Sequence, residues 1–343
     1  MSRLYHAVTA HLKTFLPQSL CYINMPFHGV LPGISYHEHV ITDHFGQFTA
    51  LRSTGCSVDF ATPSTWATHS DQTIFDAVVL GLPKGKLQQL AYLHMAWTAC
   101  AMEGQVILWG YTNEGIGSIQ RLLHKRGIPC AKVANCEGGK ALQIRRTTPS
   151  SPFSEDFAAY SQPLTLEVPF RETLVPYTSL AGTFAHGKSD PGTMLMLTTI
   201  SSIALREPLL DLACGSGLVS TLLASMGFRA IHMCDVSARA IEAASANARA
   251  NSLPLPFASD IYSHVQQRYG SILVNPPFHQ GVSTDYHVPQ SIIAQAPGFL
   301  LPGGSLYIVA NRFLPYEKLC HQAGAQFHVM HQDNQFKILQ LNW

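Results

Sequence analysis

The sequence predicts an α/β protein built of two tandem units, each a parallel sheet with crossover helices. Three observations carry this reading. The C-terminal half alternates short apolar strands with helices, a pattern that implies right-handed βαβ crossovers. The N-terminal half repeats part of that order. The 343 residues, 46% hydrophobic and 13% charged, suffice for two ordinary cores and exclude a disordered or fibrous chain.

The second half is read element by element. "EPLLDLACGSG" (207–217) is a strand running into a glycine turn, and "LVSTLLASMG" (218–227) is a helix that stops at Gly227. "RAIHMCDVS" (229–237) is a second strand and "ARAIEAASANARANS" (238–252) an alanine-rich helix. "PLPFASDIYS" (254–263) holds a short third strand, and "YGSILVNPPF" (269–278) a fourth. "SIIAQAPGFLLPGG" (291–304) is expected to be mostly helical, before the strand "SLYIVANR" (305–312).

The first half mirrors this. "FDAVVLGLPKGK" (75–86) has the shape of 269–280. "EGQVILWGYTNEG" (103–115) matches 303–315, and "GKALQIRR" (139–146) matches 335–342. Two copies of one unit are therefore expected. The copies differ where chemistry would sit: Gly81-Leu82-Pro83-Lys84 takes the place of Asn275-Pro276-Pro277-Phe278, and no Asp-x-x-x-Gly-x-Gly precedes it. "RRTTPSSPFSEDF" separates the halves, which puts the units at 1–155 and 156–343.

Composition narrows the setting. Twenty-two Lys+Arg against 21 Asp+Glu give a net charge of +1, which neither requires nor excludes a nucleic-acid partner, because a local patch can act alone. Eight scattered cysteines without a C-x-x-C pair read as thiols of a reducing compartment. With no signal-peptide core and no apolar run of ~18 residues, a cytoplasmic protein without a membrane span is expected. His37, His39 and His44 could suggest a metal, but no Cys or carboxylate set completes a site; a polar strand face and no metal are expected.

Candidate chemistry gathers at the strand ends. Asp211 before Gly215 and Gly217 is neither a dinucleotide fingerprint nor a P-loop; an acid there suits a cationic or amine-bearing ligand. Asp235, one βα unit later, can take ribose hydroxyls or cap the next helix. Asp260 can accept from an adenine amino group or cap a turn. In Asn275-Pro276-Pro277-Phe278 the prolines remove N–H donors, leaving the Asn oxygen and the Pro276 carbonyl as converging acceptors for a planar NH2 group. Phe278 offers a stacking face.

These features, in this order, resemble the class I S-adenosylmethionine-dependent methyltransferases that modify exocyclic or amide nitrogen. "GTFAHGKSDPGTMLML" (182–197), "CDVS", "FASDIYS", "NPPFHQG" and "YIVANRFLPY" resemble the ribosomal RNA small subunit methyltransferase C family. The resemblance implies two tandem methyltransferase-like (Rossmann-like) domains, the first degenerate and without cofactor. It implies transfer of methyl from S-adenosyl-L-methionine to guanine N2 of 16S rRNA, on the RNA or the 30S subunit, by a monomer. Asp190, Gly192 and Thr193 would lie over the cofactor. Asp211, Ala213, Gly215 and Gly217 would meet its amino-acid portion, Asp235 and Val236 its ribose, and Ser259 and Asp260 its adenine; Asn275 to Phe278 would receive the guanine. Ala213 departs from a usual glycine, and "AHGK" from the usual Ser-Arg. A 23S rRNA guanine, a protein glutamine, or a non-catalytic RNA-binding role stay open as alternatives. Cations available to RNA are Lys84, Lys86, Lys125, Arg126, Arg145, Arg146 and Arg312.

Overall fold

The computed structural model describes residues 3–26, 31–68, 74–136, 138–277 and 287–343. The chain forms two compact units, Met1–Gln162 and Pro163–Trp343. The helix Ser154–Ser161, which the 155/156 boundary would cut, packs on the helix Lys86–Ala99 of the first unit.

The first unit carries β1 (Ser19–Ile23), β2 (His37–Thr42), β3 (Ser57–Phe60), β4 (Phe75–Gly81), β5 (Cys100–Tyr111), β6 (Ala131–Cys136) and β7 (Gly139–Arg145). The second opens with a hairpin, β8 (Leu164–Phe170) and β9 (Thr173–Ser179). It then builds β10 (Leu209–Leu212), β11 (Ile231–Asp235), β12 (Phe257–Ala258), β13 (Tyr269–Val274), β14 (Leu300–Asn311), β15 (Gln326–Gln332) and β16 (Phe336–Asn342). The strand orders are β3-β2-β1-β4-β5-β7-β6 and β12-β11-β10-β13-β14-β16-β15. The topology is thus duplicated, and the three segment pairs read as repeats occupy matching strands.

Each sheet is mixed rather than wholly parallel. In the second, β10 to β14 run parallel, whereas β16 is antiparallel to both β14 and β15. The tight turn at 333–335 forces this reversal: Asp333 Oδ1 accepts from the N–H groups of Gln335 and Phe336, both at 2.7 Å. Strands β10 and β13 are buried along their whole length, as strands covered on both faces must be. Leu209, Leu273 and Val309 enter one core layer; Leu210, Ile272 and Ile308 enter the opposite one.

Helix ends follow from local chemistry. Ser237 Oγ caps the helix Ala238–Ala250 by accepting from Ala240 N, so Asp235 does not serve as that cap. Gly227, at φ 101°, ends the helix Leu218–Ser225 as expected. The region 299–304 departs from expectation: the helix His287–Gln295 gives way to a short 3-10 turn, and β14 already begins at Leu300. Pro297 and the Gly303-Gly304 pair disfavour further helix.

Candidate active site

Strand β10 lies between β11 and β13, where the direction of winding reverses. In open α/β sheets ligands bind at that switch, beyond the carboxyl ends. A cavity occupies it here, lined by Asp190, Thr193, Asp211, Ala213, Gly215, Asp235, Val236, Asn275, Pro276 and Pro277 among others. Phe278 lies outside the described residues. Gly192, Gly217, Ser259 and Asp260 do not line the cavity.

The floor is a braced acid pair. Asp211 Oδ2 accepts from Ser220 through both its N–H (3.1 Å) and its hydroxyl (2.7 Å). Burial pushes the Asp211 carboxyl up to about 7; the Ser220 bonds oppose this and the charge of Asp235 adds to it. Asp235 holds the glycine loop: its Oδ2 accepts from Gly215 N at 2.8 Å, and its Oδ1 from Ser237 N at 2.9 Å. The loop turns through left-handed conformations at Ala213 (φ 56°), Gly215 (φ 55°) and Gly217 (φ 80°). Ala213 adopts there a conformation that costs a residue with Cβ about 1–2 kcal/mol. At Gly217 a β-carbon would lie 3.2 Å from Met233 Sδ and 3.4 Å from Ala244 Cβ, so the glycine permits close packing of the helix it starts.

Asn275 is held in one orientation. Its Nδ2 donates to Asp190 Oδ2 (2.8 Å) and Thr193 Oγ1 (2.9 Å). Asp190 Oδ2 also accepts from Thr193 N at 2.8 Å, capping the helix Pro191–Ile200. That helix sits close to β14 because Gly192 has no side chain: a β-carbon would lie 3.0 Å from Val309 Cγ1. The amide oxygen, Asn275 Oδ1, is buried and has no hydrogen-bond partner. A buried acceptor left open is costly. Here it belongs to a residue that lines the cavity, and a ligand N–H would satisfy it.

Other expected residues act around the site. Ser259 is an internal brace, donating to Ile261 O and accepting from His264 N. Asp260 is exposed at the end of β12. Several contributors were not among the site residues expected from the sequence. Tyr177, Phe184 and Lys188 join the wall. Arg239 is fully buried and donates from Nε to Ala181 O at 2.9 Å, just before the wall segment 182–185. Asn247 bridges Thr178 of the hairpin and Ser216 O of the glycine loop. A charge and an amide in an alanine-rich helix read from sequence as solvated positions.

Registers show what the first unit has instead. Tyr22 pairs with β4 as Asp211 does with β13, Thr42 ends β2 as Asp235 ends β11, and Gly81 stands at the place of Asn275. A β-carbon at Gly81 would lie 2.3 Å from Asn24 O and 2.8 Å from Trp109 Nε1. Among the expected RNA cations, Arg126 is held by Pro152 O and Asp156, Arg145 by Glu103, and Arg146 by the carbonyls of Thr98, Cys100 and Pro149. Lys84, Lys86 and Lys125 are exposed. His39 bonds Ser57 and Asp59. No group of three or more potential ligands that could hold a metal is found among the described residues.

The duplicated sheet, with acids ending β10 and β11 and Asn-Pro-Pro ending β13, defines a class I methyltransferase. The Methyltransferase small domain family model matches residues 175–340. Ribosomal RNA small subunit methyltransferase C of Aliivibrio salmonicida is 31% identical, over 77% of this chain and 76% of its own. That of Vibrio parahaemolyticus is 30% identical over 78% and 77%. The chain belongs to the ribosomal RNA small subunit methyltransferase C family. In fold it is similar to the T. thermophilus 16S rRNA N2 G1207 methyltransferase solved with AdoMet and guanosine: TM-score 0.82, 24% identity, 99% of this chain and 92% of that one.

Proposed function

We infer that this chain transfers a methyl group from S-adenosylmethionine to the exocyclic N2 of a guanine in 16S rRNA. Family membership supports the reaction, and one observation carries it to this site. Asn275 presents a buried, unpartnered carbonyl oxygen, fixed by two bonds from its own Nδ2. An acceptor so fixed selects an N–H donor, and the Pro276 carbonyl that follows it offers a second.

The cavity fits the cofactor on its charge. Asp211 is a buried carboxylate whose proton affinity is raised in the absence of a cation, and a ligand ammonium would relieve it. The bound cofactor supplies a methyl group on a positively charged sulfur. Asp211 and the loop at Ala213, Gly215 and Gly217 would hold its amino-acid portion, Asp235 and Val236 the ribose, and Ser259 and Asp260 the adenine edge. Asp190 and Thr193 would close the site above and orient Asn275, and Gly192 lets their helix lie close against β14. Asn275 and Pro276 would grip the guanine amino group, and Pro277 and Phe278 would limit its plane. Acceleration would then come from positioning and from acceptors fixed before reaction. The first unit, with Tyr22, Thr42 and Gly81 at the matching places, is assigned to RNA docking without cofactor.

The test supplies labelled S-adenosylmethionine with 30S subunits, 50S subunits and deproteinised rRNAs from a strain lacking this gene. N2-methylguanosine in 16S RNA that disappears with Asn275→Ala is the expected result. Label confined to 23S RNA would move the target, and none in any RNA would refute the reading.

A further inference from the structure

We propose that Arg312 and Phe313 form a docking step for single-stranded RNA beside the target guanine: Phe313 stacks a neighbouring base and Arg312 meets the backbone phosphate. This rests on the RNA-methylating reading above and extends it to residues outside the cavity.

Position comes first. Strand β14 runs parallel to β13 with Val274 opposite Ile308, so Asn275 stands at the level of Val309. Phe313 follows four residues later, beyond the same carboxyl edge, at most roughly 13 Å along the chain. A nucleotide flanking a guanine held at Asn275 must cross this edge or another close to it.

Exposure and rigidity come next. Phe313 is 80% exposed. A lone exposed apolar residue is ordinary; the turn that carries this one is not loose. Phe313 N donates to Asn311 Oδ1 at 3.0 Å, Leu314 N to Asn311 O at 3.1 Å, and Arg312 N to Gln335 O at 2.8 Å. Lys337, only 3% exposed, extends from β16 to donate to Leu314 O at 3.1 Å and to pair with Glu317. A buried lysine committed to a turn holds the ring out of the core at a fixed height. A planar ring fixed in solvent suits a nucleobase, because stacking needs little entropy loss from a platform already ordered.

Charge completes the fit. Arg312 is exposed, and among the described residues its guanidinium makes only long hydrogen bonds, 3.4 Å to Asp333 O and 3.5 Å to Asn334 Oδ1. The Asp333 carboxylate lies near enough to feel the charge of Arg312, but it makes its hydrogen bonds to the N–H groups of Gln335 and Phe336 rather than to the guanidinium. The guanidinium is thus available to a phosphate, which it binds better than a lysine could.

The experiment uses the full chain and deproteinised 16S rRNA or 30S subunits from a strain lacking this gene. Binding is measured by filter retention across a salt series, and transfer by N2-methylguanosine release. Phe313→Ala is expected to weaken RNA binding roughly 5- to 100-fold and to lower kcat/KM for RNA in step, with S-adenosylhomocysteine affinity unchanged. Phe313→Trp should retain wild-type affinity and Phe313→Leu should not, since leucine is apolar but not planar. Arg312→Ala should shallow the salt dependence, by about 0.7 in logarithmic slope for a single strand. Phe313→Ala or Phe313→Leu within twofold of wild type would overturn the proposal. So would a Phe313→Ala loss seen on 30S subunits but not on naked rRNA, which would make the contact a ribosomal protein. If wild-type protein methylates no RNA, the underlying function fails instead; an active wild type matched by an equally active Phe313→Ala refutes the docking step alone.

Discussion

Cofactor affinity should fall as the pH drops below 7, and Asp211 is the reason. Its carboxyl is pushed up to about 7, first by burial and further by the charge of Asp235, against the opposing Ser220 bonds. A ligand ammonium needs the ionised form. The apparent Kd then scales as one plus ten to the power (7 − pH), so affinity at pH 5.5 should be about 16-fold weaker than at pH 7.0, about 1.6 kcal/mol. Below pH 7 the ligand amine itself stays cationic. Cys214, beside it, is pushed up by burial and stays protonated throughout, and His186 is pushed down by burial and by Arg239. Calorimetry with S-adenosylhomocysteine in two buffers of different ionisation heat should show uptake of about three-quarters of a proton by buffer at pH 6.5. Asp211→Asn should bind weakly and without this slope. Stability of the free protein carries the opposite sign. A carboxyl whose folded value is raised binds its proton in the native state first, so its contribution to stability grows as pH falls from about 7 toward the ordinary value of 3.8. Affinity that varies less than twofold between pH 5.5 and 7.0, or the same slope in Asp211→Asn, would refute the argument.

Other consequences follow from the same geometry. Asn275→Ala should lower methyl transfer about 100-fold or more while leaving S-adenosylhomocysteine affinity within about threefold, as steady-state kinetics and calorimetry would show. Thr193→Val, which removes one of the two acceptors of Asn275 Nδ2, should reduce kcat about tenfold, with KM for the cofactor nearly constant. Ala213→Gly relieves a left-handed alanine worth about 1–2 kcal/mol against about 0.4–1 kcal/mol of added chain entropy, so the urea midpoint should rise slightly. Neutralising the exposed Lys84 and Lys86 together should reduce the salt slope of RNA binding by about 1.4–1.8, read by filter retention.

Much of this site was legible because its chemistry is local in sequence. Asp211, Asp235 and Asn275 each end a strand, and a parallel α/β alternation brings strand ends together whatever the loops do. The orientation of Asn275 was not legible. It depends on Asp190, 85 residues away, which sequence reading places over the cofactor and the structure shows bonded to the amide as well. The hairpin of β8 and β9 was missed although its burial alternates with a period of two. Pro169 and Pro176 interrupt both runs, and prolines argue against strands except at edges. Arg239 was missed because charge predicts exposure; its burial rests on Glu242, one turn on in the same helix, and on a carbonyl from a loop 58 residues earlier.

The duplicated unit shows the same division between what sequence carries and what packing decides. Sequence shows that the first copy lacks the acid and the Asn-Pro-Pro peptide; it does not show whether restoring them would restore a site. Packing answers that. Gly81 stands where Asn275 would, but the Asn24 carbonyl and the Trp109 ring lie against its α-carbon, and Asn24 Nδ2 donates to Gly81 O at 2.8 Å. At the place of the ribose acid, Thr42 donates its hydroxyl to Gln47 Oε1 at 2.5 Å, while Gln47 Nε2 bonds Met25 O. Thr42, Gln47 and Asn24 thus form hydrogen bonds within the old crevice, and among the described residues no buried, unpartnered side-chain oxygen stands at the place of Asn275 Oδ1. An asparagine placed at position 81 would therefore have to displace backbone before it met any ligand. The first copy keeps a cavity at this edge, lined by Asn24, Met25, Thr42 and Gln47, but the backbone of Asn24 takes the space a side chain at position 81 would need, so restoring the asparagine alone would not restore the site.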